Sequence, residues 1–188
     1  MRRNWVAGVG ALLTLVAGIA AAELQIDITR GAAEASPIAV VPFGWDDSNQ
    51  EAYDVAGVVA ADLARTGRFA PLPRQDMLQR PTKGADIDFS DWKILGTEVV
   101  IVGEVSVASD DIFNIQFQVF DVFRGKQLLG YRLTANGNGL RQASHRIADM
   151  IYEKLTGIKG IASTRIAYVN VVGTAANPTY RLVVADAD

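Results

Sequence analysis

The sequence contains no cysteine, and this absence excludes several kinds of site at once. Disulfide bonds, thiolate metal sites, a cysteine nucleophile and an acylated lipoprotein N-terminus all require that side chain. Stability must therefore come from packing alone. The absence does not argue against secretion, because an oxidising compartment permits disulfides without requiring them.

Clustered basic residues and histidine are also scarce. The 188 residues carry a formal net charge of −3, and their lysines and arginines form no patch of the kind that phosphate contacts need. We therefore expect no nucleic-acid partner. His145 is the single histidine, and no serine–base–acid order can be assembled around it. We expect it to face a helix surface in a structural role, so the sequence predicts no catalytic residue.

Two short motifs resemble ligand sites. Asp86, Asp88 and Asp91 could be taken for a metal-binding group, but a calcium loop needs further oxygen ligands and a closing glutamate at fixed spacing. We expect Asp88 or Ser90 to cap a short helix instead. The glycine-rich run 136–139 lacks the Lys-Ser/Thr ending of a phosphate loop. The sequence therefore predicts no metal and no cofactor.

Residues 1–22 have the pattern of a signal peptide. Two arginines precede the apolar run from Val6 to Ile19, and three alanines follow, so we expect cleavage between Ala22 and Glu23. An uncleaved membrane anchor is the alternative, although the apolar stretch is short for a span of about 20 residues. The arginine pair leaves both the general secretory and the twin-arginine export routes open. After cleavage we expect no direct membrane insertion.

The segment after the leader, Glu23 to Arg30, alternates apolar and polar residues. Such alternation predicts a strand with one apolar face. Gly31 to Ser36 follows as a stretch of mostly small residues. A strand on such a tether either pairs with its own sheet or adds to the exposed edge of another protein. The six residues that would make this contact are Glu23, Leu24, Gln25, Ile26, Asp27 and Ile28.

The middle of the chain predicts an α/β domain. The fold class is a mixed sheet with two main helices packed on it, followed by a β-hairpin. The predicted elements are a buried strand Ile38 to Phe43, a helix with apolar residues from Ala52 to Ala64 capped by Asp46, Asp47 or Ser48, a strand Phe69 to Leu72, a three-stranded meander within Val99 to Thr134, and a helix Leu140 to Leu155.

The pattern changes within the last forty residues. Ile147, Met150, Ile151 and Leu155 recur at helical spacing, and Gly157 follows where a left-handed cap ends a helix. After Gly160 the alternation becomes that of strands, which we place at Arg165 to Val172 and Tyr180 to Ala185. A new β unit therefore begins near Arg165.

Five ordered pieces of the chain resemble the TolB family, the periplasmic component of the Tol-Pal system. After the leader, the pieces are Pro37–Phe43, Asp62–Phe69, Leu140–Asp149, and Leu155–Gly160 followed by Thr164–Val169. In this family an N-terminal α/β domain precedes a six-bladed β-propeller. The resemblance implies three parts: residues 1–22 as signal peptide, 23–160 as the N-terminal α/β domain, and 161–188 as the first strands of a truncated propeller.

The resemblance also implies a function. The expected role is that of a non-enzymatic periplasmic adaptor that maintains outer-membrane integrity and assists envelope constriction during cell division. By resemblance, TolA binds the N-terminal segment Glu23 to Ile28, and the lipoprotein Pal binds the propeller, most of which this sequence does not include.

Two alternatives remain open. One is another envelope-assembly module of the LpoB or CsgG kind, whose core also pairs an apolar strand with a helix and a Gly-Arg-Phe strand. The strand Thr164 to Val169 after a glycine linker argues against it. The other is a periplasmic hydrolase that uses His145 and the aspartates.

Overall fold

The computed structural model describes residues 35–45 and 53–186. Its elements in chain order are β1 (Ser36–Val40), β2 (Gly44–Trp45), α1 (Val55–Arg65), β3 (Phe69–Pro71), α2 (Phe89–Ile94), β4 (Val99–Ser109), β5 (Ile112–Asp121), β6 (Lys126–Asn136), α3 (Leu140–Thr156), β7 (Arg165–Thr174) and β8 (Asn177–Asp186). Three short 3-10 turns lie at Arg74–Asp76, Gly84–Asp86 and Gly137–Gly139.

The main sheet is mixed, as the sequence predicts. Its strand order is β3-β1-β4-β5-β6, and β2 pairs with β4 beside this path. Strand β1 runs parallel to both β3 and β4, whereas β4, β5 and β6 form an antiparallel meander. The two-residue strand β2 is too short to leave a sequence pattern and was not predicted.

Both faces of the sheet centre are covered, because alternate residues of β1 and β4 belong to different apolar clusters. Ile38 and Ile101 lie under α1 and α3 in the larger cluster. Ala39 and Val100 point to the opposite face, where they pack with Trp92 of α2. This explains why the central strands are nearly continuous apolar runs rather than alternating ones. Two main helices were predicted from the sequence, but the second apolar cluster around α2 was not.

The two long helices begin and end for local reasons. The Asp54 carboxylate accepts a hydrogen bond from the Gly57 amide and caps α1, so the prediction of a cap at Asp46, Asp47 or Ser48 is wrong. Helix α3 ends at Gly157, whose φ of 73° is left-handed, and this confirms the predicted stop. Asp88 caps α2 through the Ser90 amide, also as predicted.

The last two strands form a separate two-stranded sheet. Strands β7 and β8 pair in antiparallel register from Arg165 opposite Asp186 to Thr174 opposite Asn177. Nearly all of their residues are exposed.

Within residues 35–45 and 53–186, no helix is long and apolar enough to cross a membrane.

Candidate functional site

The predicted partner-binding segment and cleavage site fall outside the described residues. Ala22, and Glu23 through Ile28, all precede residue 35. Their roles remain predictions. Three features of the described residues are candidates for a functional site: the buried histidine, a groove between the helices, and the exposed hairpin.

His145 does not face a helix surface, and that prediction is wrong. Its side chain is 1% exposed, and its Nδ1 atom lies 2.6 Å from Oδ2 of Asp62, which is equally buried. The second oxygen of Asp62 accepts a hydrogen bond of 2.8 Å from Nη1 of Arg65. Since Asp62 belongs to α1 and His145 to α3, this pair joins the two helices inside the core.

This constellation has the residue types of a catalytic dyad but not its access. A base must reach the proton of a substrate or nucleophile, and both members of the pair are enclosed. The adjacent serine is also engaged, because Oγ of Ser144 donates to the carbonyl of Leu140 at 2.8 Å. The geometry therefore fits an interhelical tie, as the structural interpretation of His145 expects. Asp62 was missed because a charged residue on a predicted apolar face gives no sequence signal of its partner.

The aspartates 86, 88 and 91 are placed in different local roles. Asp88 caps α2, and Oδ2 of Asp91 lies 3.3 Å from Nε2 of Gln79. In the part of the chain that the structure describes, no group of three or more His, Asp or Glu side chains is arranged to hold a metal ion. The capping interpretation of Asp88 is thus confirmed.

Two carboxylates outside the core have pKa values below the usual range. Partial burial raises the pKa of Asp54, but hydrogen bonds from Arg74 and from the Gly57 amide outweigh it, and the net pKa is lowered. The pKa of Asp121 is lowered by the Arg124 amide first and then by the Arg124 guanidinium. Both carboxylates sit at turns or helix ends that they stabilise in the ionised form.

A groove of about 420 Å³ runs between α1, α3 and the chain that follows α3. Its walls include Leu63 and Arg65 from α1, Tyr152 from α3, and residues 158–162. The lining is mostly apolar. The segment 158–162, which connects α3 to β7, forms the wall of the groove that faces the two helices.

The C-terminal hairpin, β7 and β8, carries several large apolar side chains that are exposed. On β7, Tyr168 and Val171 are 49% and 55% exposed, and on β8, Tyr180 and Leu182 are 67% and 74% exposed. A two-stranded ribbon is marginally stable by itself, and exposed apolar surface of this kind is typical of surfaces that pack against further strands or a partner.

Comparison with known proteins identifies the family. A family model described as the TolB amino-terminal domain matches residues 24–128. The Tol-Pal system protein TolB of Thioalkalivibrio sulfidiphilus is 42% identical over 170 residues, which cover 90% of this chain and 39% of that protein. The protein of the same name from Nitrosococcus oceani is 44% identical over 191 residues, covering 99% of this chain and 44% of its own.

A solved structure agrees with these relatives. The crystal structure of TolB from Acinetobacter baumannii matches with a TM-score of 0.66 and 35% identity, and the match covers 82% of this chain and 36% of that one. The chain thus spans about two fifths of the length of the relatives it matches. The resemblance found in the sequence pieces is confirmed: the chain belongs to the TolB amino-terminal domain family.

Proposed function

We propose that this chain is a non-enzymatic periplasmic component of the Tol-Pal system, an adaptor that helps maintain outer-membrane integrity and assists constriction of the envelope during division. The observation that carries the proposal is the family match over residues 24–128, together with relatives named Tol-Pal system protein TolB. The enclosed state of His145 and Asp62 supports an adaptor rather than a hydrolase.

The proposed contact with TolA lies in Glu23 to Ile28. Leu24, Ile26 and Ile28 would form one apolar face of an added strand, whose affinity comes from backbone hydrogen bonds and whose specificity comes from alternate side chains. Strand β1 begins at Ser36, so residues 31–35 of the proposed tether would separate the contact segment from this strand. Binding and folding should therefore be separable.

Calorimetric titration with the purified C-terminal domain of TolA tests this contact. Deletion of residues 23–28 should abolish binding while circular dichroism and the melting temperature stay unchanged. Ile26→Asp should weaken binding by about 1 to 3 kcal/mol, the range for one aliphatic side chain. Thr29→Asp is the matched control, because it introduces the same charge on the polar side of the alternation. Unchanged affinity after the deletion would refute the assignment.

Export and the domain division are part of the same proposal. Residues 1–22 would act as a cleaved signal peptide, 23–160 as the α/β domain, and 161–188 as the first strands of a propeller blade. The antiparallel pairing of β7 with β8 and their exposed apolar side chains support the last point, since a blade needs further strands to cover them. Pal would bind the propeller rather than the α/β domain.

N-terminal sequencing of protein recovered from the periplasm tests the export step. The mature chain should begin at Glu23. A mature chain that retains Trp5 would show that the leader is an anchor.

A further inference from the structure

The side chains of β7 and β8 are almost all exposed. The hairpin is connected to the α/β domain through the segment between α3 and β7. Because so few of its residues are buried, packing of the hairpin cannot set its direction. The direction must come from the link between α3 and β7, residues 157–164. The contacts of this link with α3 therefore decide how the C-terminal strands are presented.

Asp149 is the centre of those contacts. Its Oδ1 accepts a hydrogen bond of 2.7 Å from the Ala162 amide, and its Oδ2 accepts one of 2.9 Å from the Ser163 amide. One carboxylate thus holds two consecutive peptide units of the link. Bonds from backbone amides to a carboxylate are stronger than bonds between neutral groups.

A second side chain of the same helix face completes the attachment. Nε2 of Gln142 donates to the Ser163 carbonyl at 3.0 Å. Gln142 and Asp149 are seven residues apart, which places them two turns apart on one face of α3. Only Thr164 separates the held peptide units from the start of β7, and its amide and hydroxyl both donate to the Ile161 carbonyl. The chain therefore has little freedom between the attachment and the strand.

Gly160 allows the link to come this close. A Cβ atom at this position would lie 2.6 Å from the Cα of Asp149, a distance that the helix backbone cannot accommodate. A side chain at residue 160 would push the link away from α3 and out of reach of the carboxylate. Ala162 also packs partly against the larger core cluster, so the link has one apolar and several polar attachments.

We propose that Asp149, with Gln142 and Gly160, forms a latch that fastens residues 160–163 to α3, fixes the direction of β7 and β8, and holds the linker wall of the helix groove. The latch consists of half-buried polar contacts, whereas the pair of His145 and Asp62 that joins the two helices is fully buried. Opening the latch frees the C-terminal strands without unfolding the domain. The device goes beyond the adaptor role proposed above and does not depend on it.

The full chain is suited to a direct test, because it has no native cysteine. Cysteines introduced by Ala61→Cys on α1 and Asn170→Cys on β7, both at exposed positions, take spin labels at unique sites. Pulsed dipolar spectroscopy then measures the distribution of distances between domain and hairpin. We expect one narrow distribution in the parent, and a broad one in Asp149→Ala and in Gly160→Ala.

Amide hydrogen exchange gives the local readout. Exchange at Ala162 and Ser163 should accelerate at least about tenfold in Asp149→Ala, since the bonds that protect these amides are lost. Glu153→Gln is the control: it removes one negative charge from an exposed position one turn further along α3, and both readouts should stay as in the parent.

Each outcome decides the proposal. Broad distances with fast exchange in both variants and not in the control establish the latch. A lower melting temperature with an unchanged narrow distribution would show that Asp149 only stabilises α3, and would overturn it. If Asp149→Ala does not fold, the distance distribution of Gly160→Ala tests the proposal, because this variant leaves Asp149 in place and displaces the segment that Asp149 holds.

Discussion

Strands β4 and β7 use similar apolar residues with opposite results. In β4, Ile101 is fully buried because β1 and β5 flank it and the helices α1 and α3 cover its face of the sheet. In β7, Ile166 is 52% exposed, and its one paired neighbour is β8. The two isoleucines differ in what surrounds them and not in their strand propensity.

The comparison shows what a strand contributes by itself. Pairing alone satisfies backbone groups on one edge, whereas a second neighbour and a covering layer remove apolar surface from water at about 25 cal/mol per Å². Strand β4 has all three, and the hairpin has pairing only. We therefore expect the α/β domain to determine the stability of the chain and the hairpin to contribute almost nothing to it.

The comparison is tested most strongly by the same substitution in both strands. Ile101→Ala should reduce the free energy of unfolding by about 4 kcal/mol, because it leaves a cavity in the larger cluster. Ile166→Ala should change it by less than about 0.5 kcal/mol. Urea unfolding followed by circular dichroism measures both. Equal losses at the two positions would show that the hairpin is an integral part of the cooperative unit.

The buried polar pair gives the next effect in size. His145→Ala should cost about 3 kcal/mol of unfolding free energy, because the buried Asp62 carboxylate loses its contact with His145 and keeps the one with Arg65. Arg146→Ala, on the next and exposed residue of α3, is the control and should be near neutral. A His145→Ala variant as stable as the parent would mean that the pair does not hold α1 and α3 together.

Much of the fold could be predicted from the sequence because its signals are local. Helix α3 carries its periodic apolar residues and a stop glycine, and the meander carries its alternation and turns. The second cluster was not predicted, because Trp92 lies in the six-residue helix α2 and Met77 follows a three-residue 3-10 turn, and both elements are too short to show a period. The order of strands was not predicted either, since parallel pairing of β1 with β3 and β4 depends on contacts distant in sequence.

The contacts at the candidate sites were less predictable than the fold. His145 was interpreted as structural from the sequence, but its contact with Asp62 could not be predicted, because the two residues are 83 positions apart. Asp149 was noticed only as part of a family-like stretch, because its partners are backbone amides, which every residue but proline possesses. The sequence shows that residue 149 is an aspartate, but it does not show that the carboxylate accepts hydrogen bonds from backbone amides of the later segment.

The N-terminal end of α1 gives a smaller and pH-dependent effect. Asp54→Ala should cost about 1 kcal/mol at neutral pH, the usual effect of losing a helix cap. The pKa of Asp54 is lowered in the folded state, so its contribution is present above the ordinary value of 3.8 and is lost as the pH falls through the lowered value. Asp86→Ala, at an exposed position, is the control.

Melting temperatures from pH 7 to pH 2.5 measure this dependence. The difference between the parent and Asp54→Ala should shrink below the ordinary value, whereas Asp86→Ala should follow the parent throughout. A difference that stays constant into acid would show that the ionised carboxylate of Asp54 is not the stabilising form.

Two truncations should locate the end of the domain, and the longer of the two truncated chains should show the smallest effect. Truncation after Thr164 removes β7 and β8 but keeps the link on α3, so the melting temperature should change by less than about 2 °C. Solubility should improve, because the exposed apolar strand edges are gone.

Truncation after Gly160, the boundary predicted from the sequence, also removes the two amides that Asp149 holds and the packed Ala162. That shorter chain should melt roughly 3 to 5 °C lower than the longer one. Equal melting temperatures would place the domain end at Gly160, and a large loss after Thr164 would show that the hairpin supports the domain.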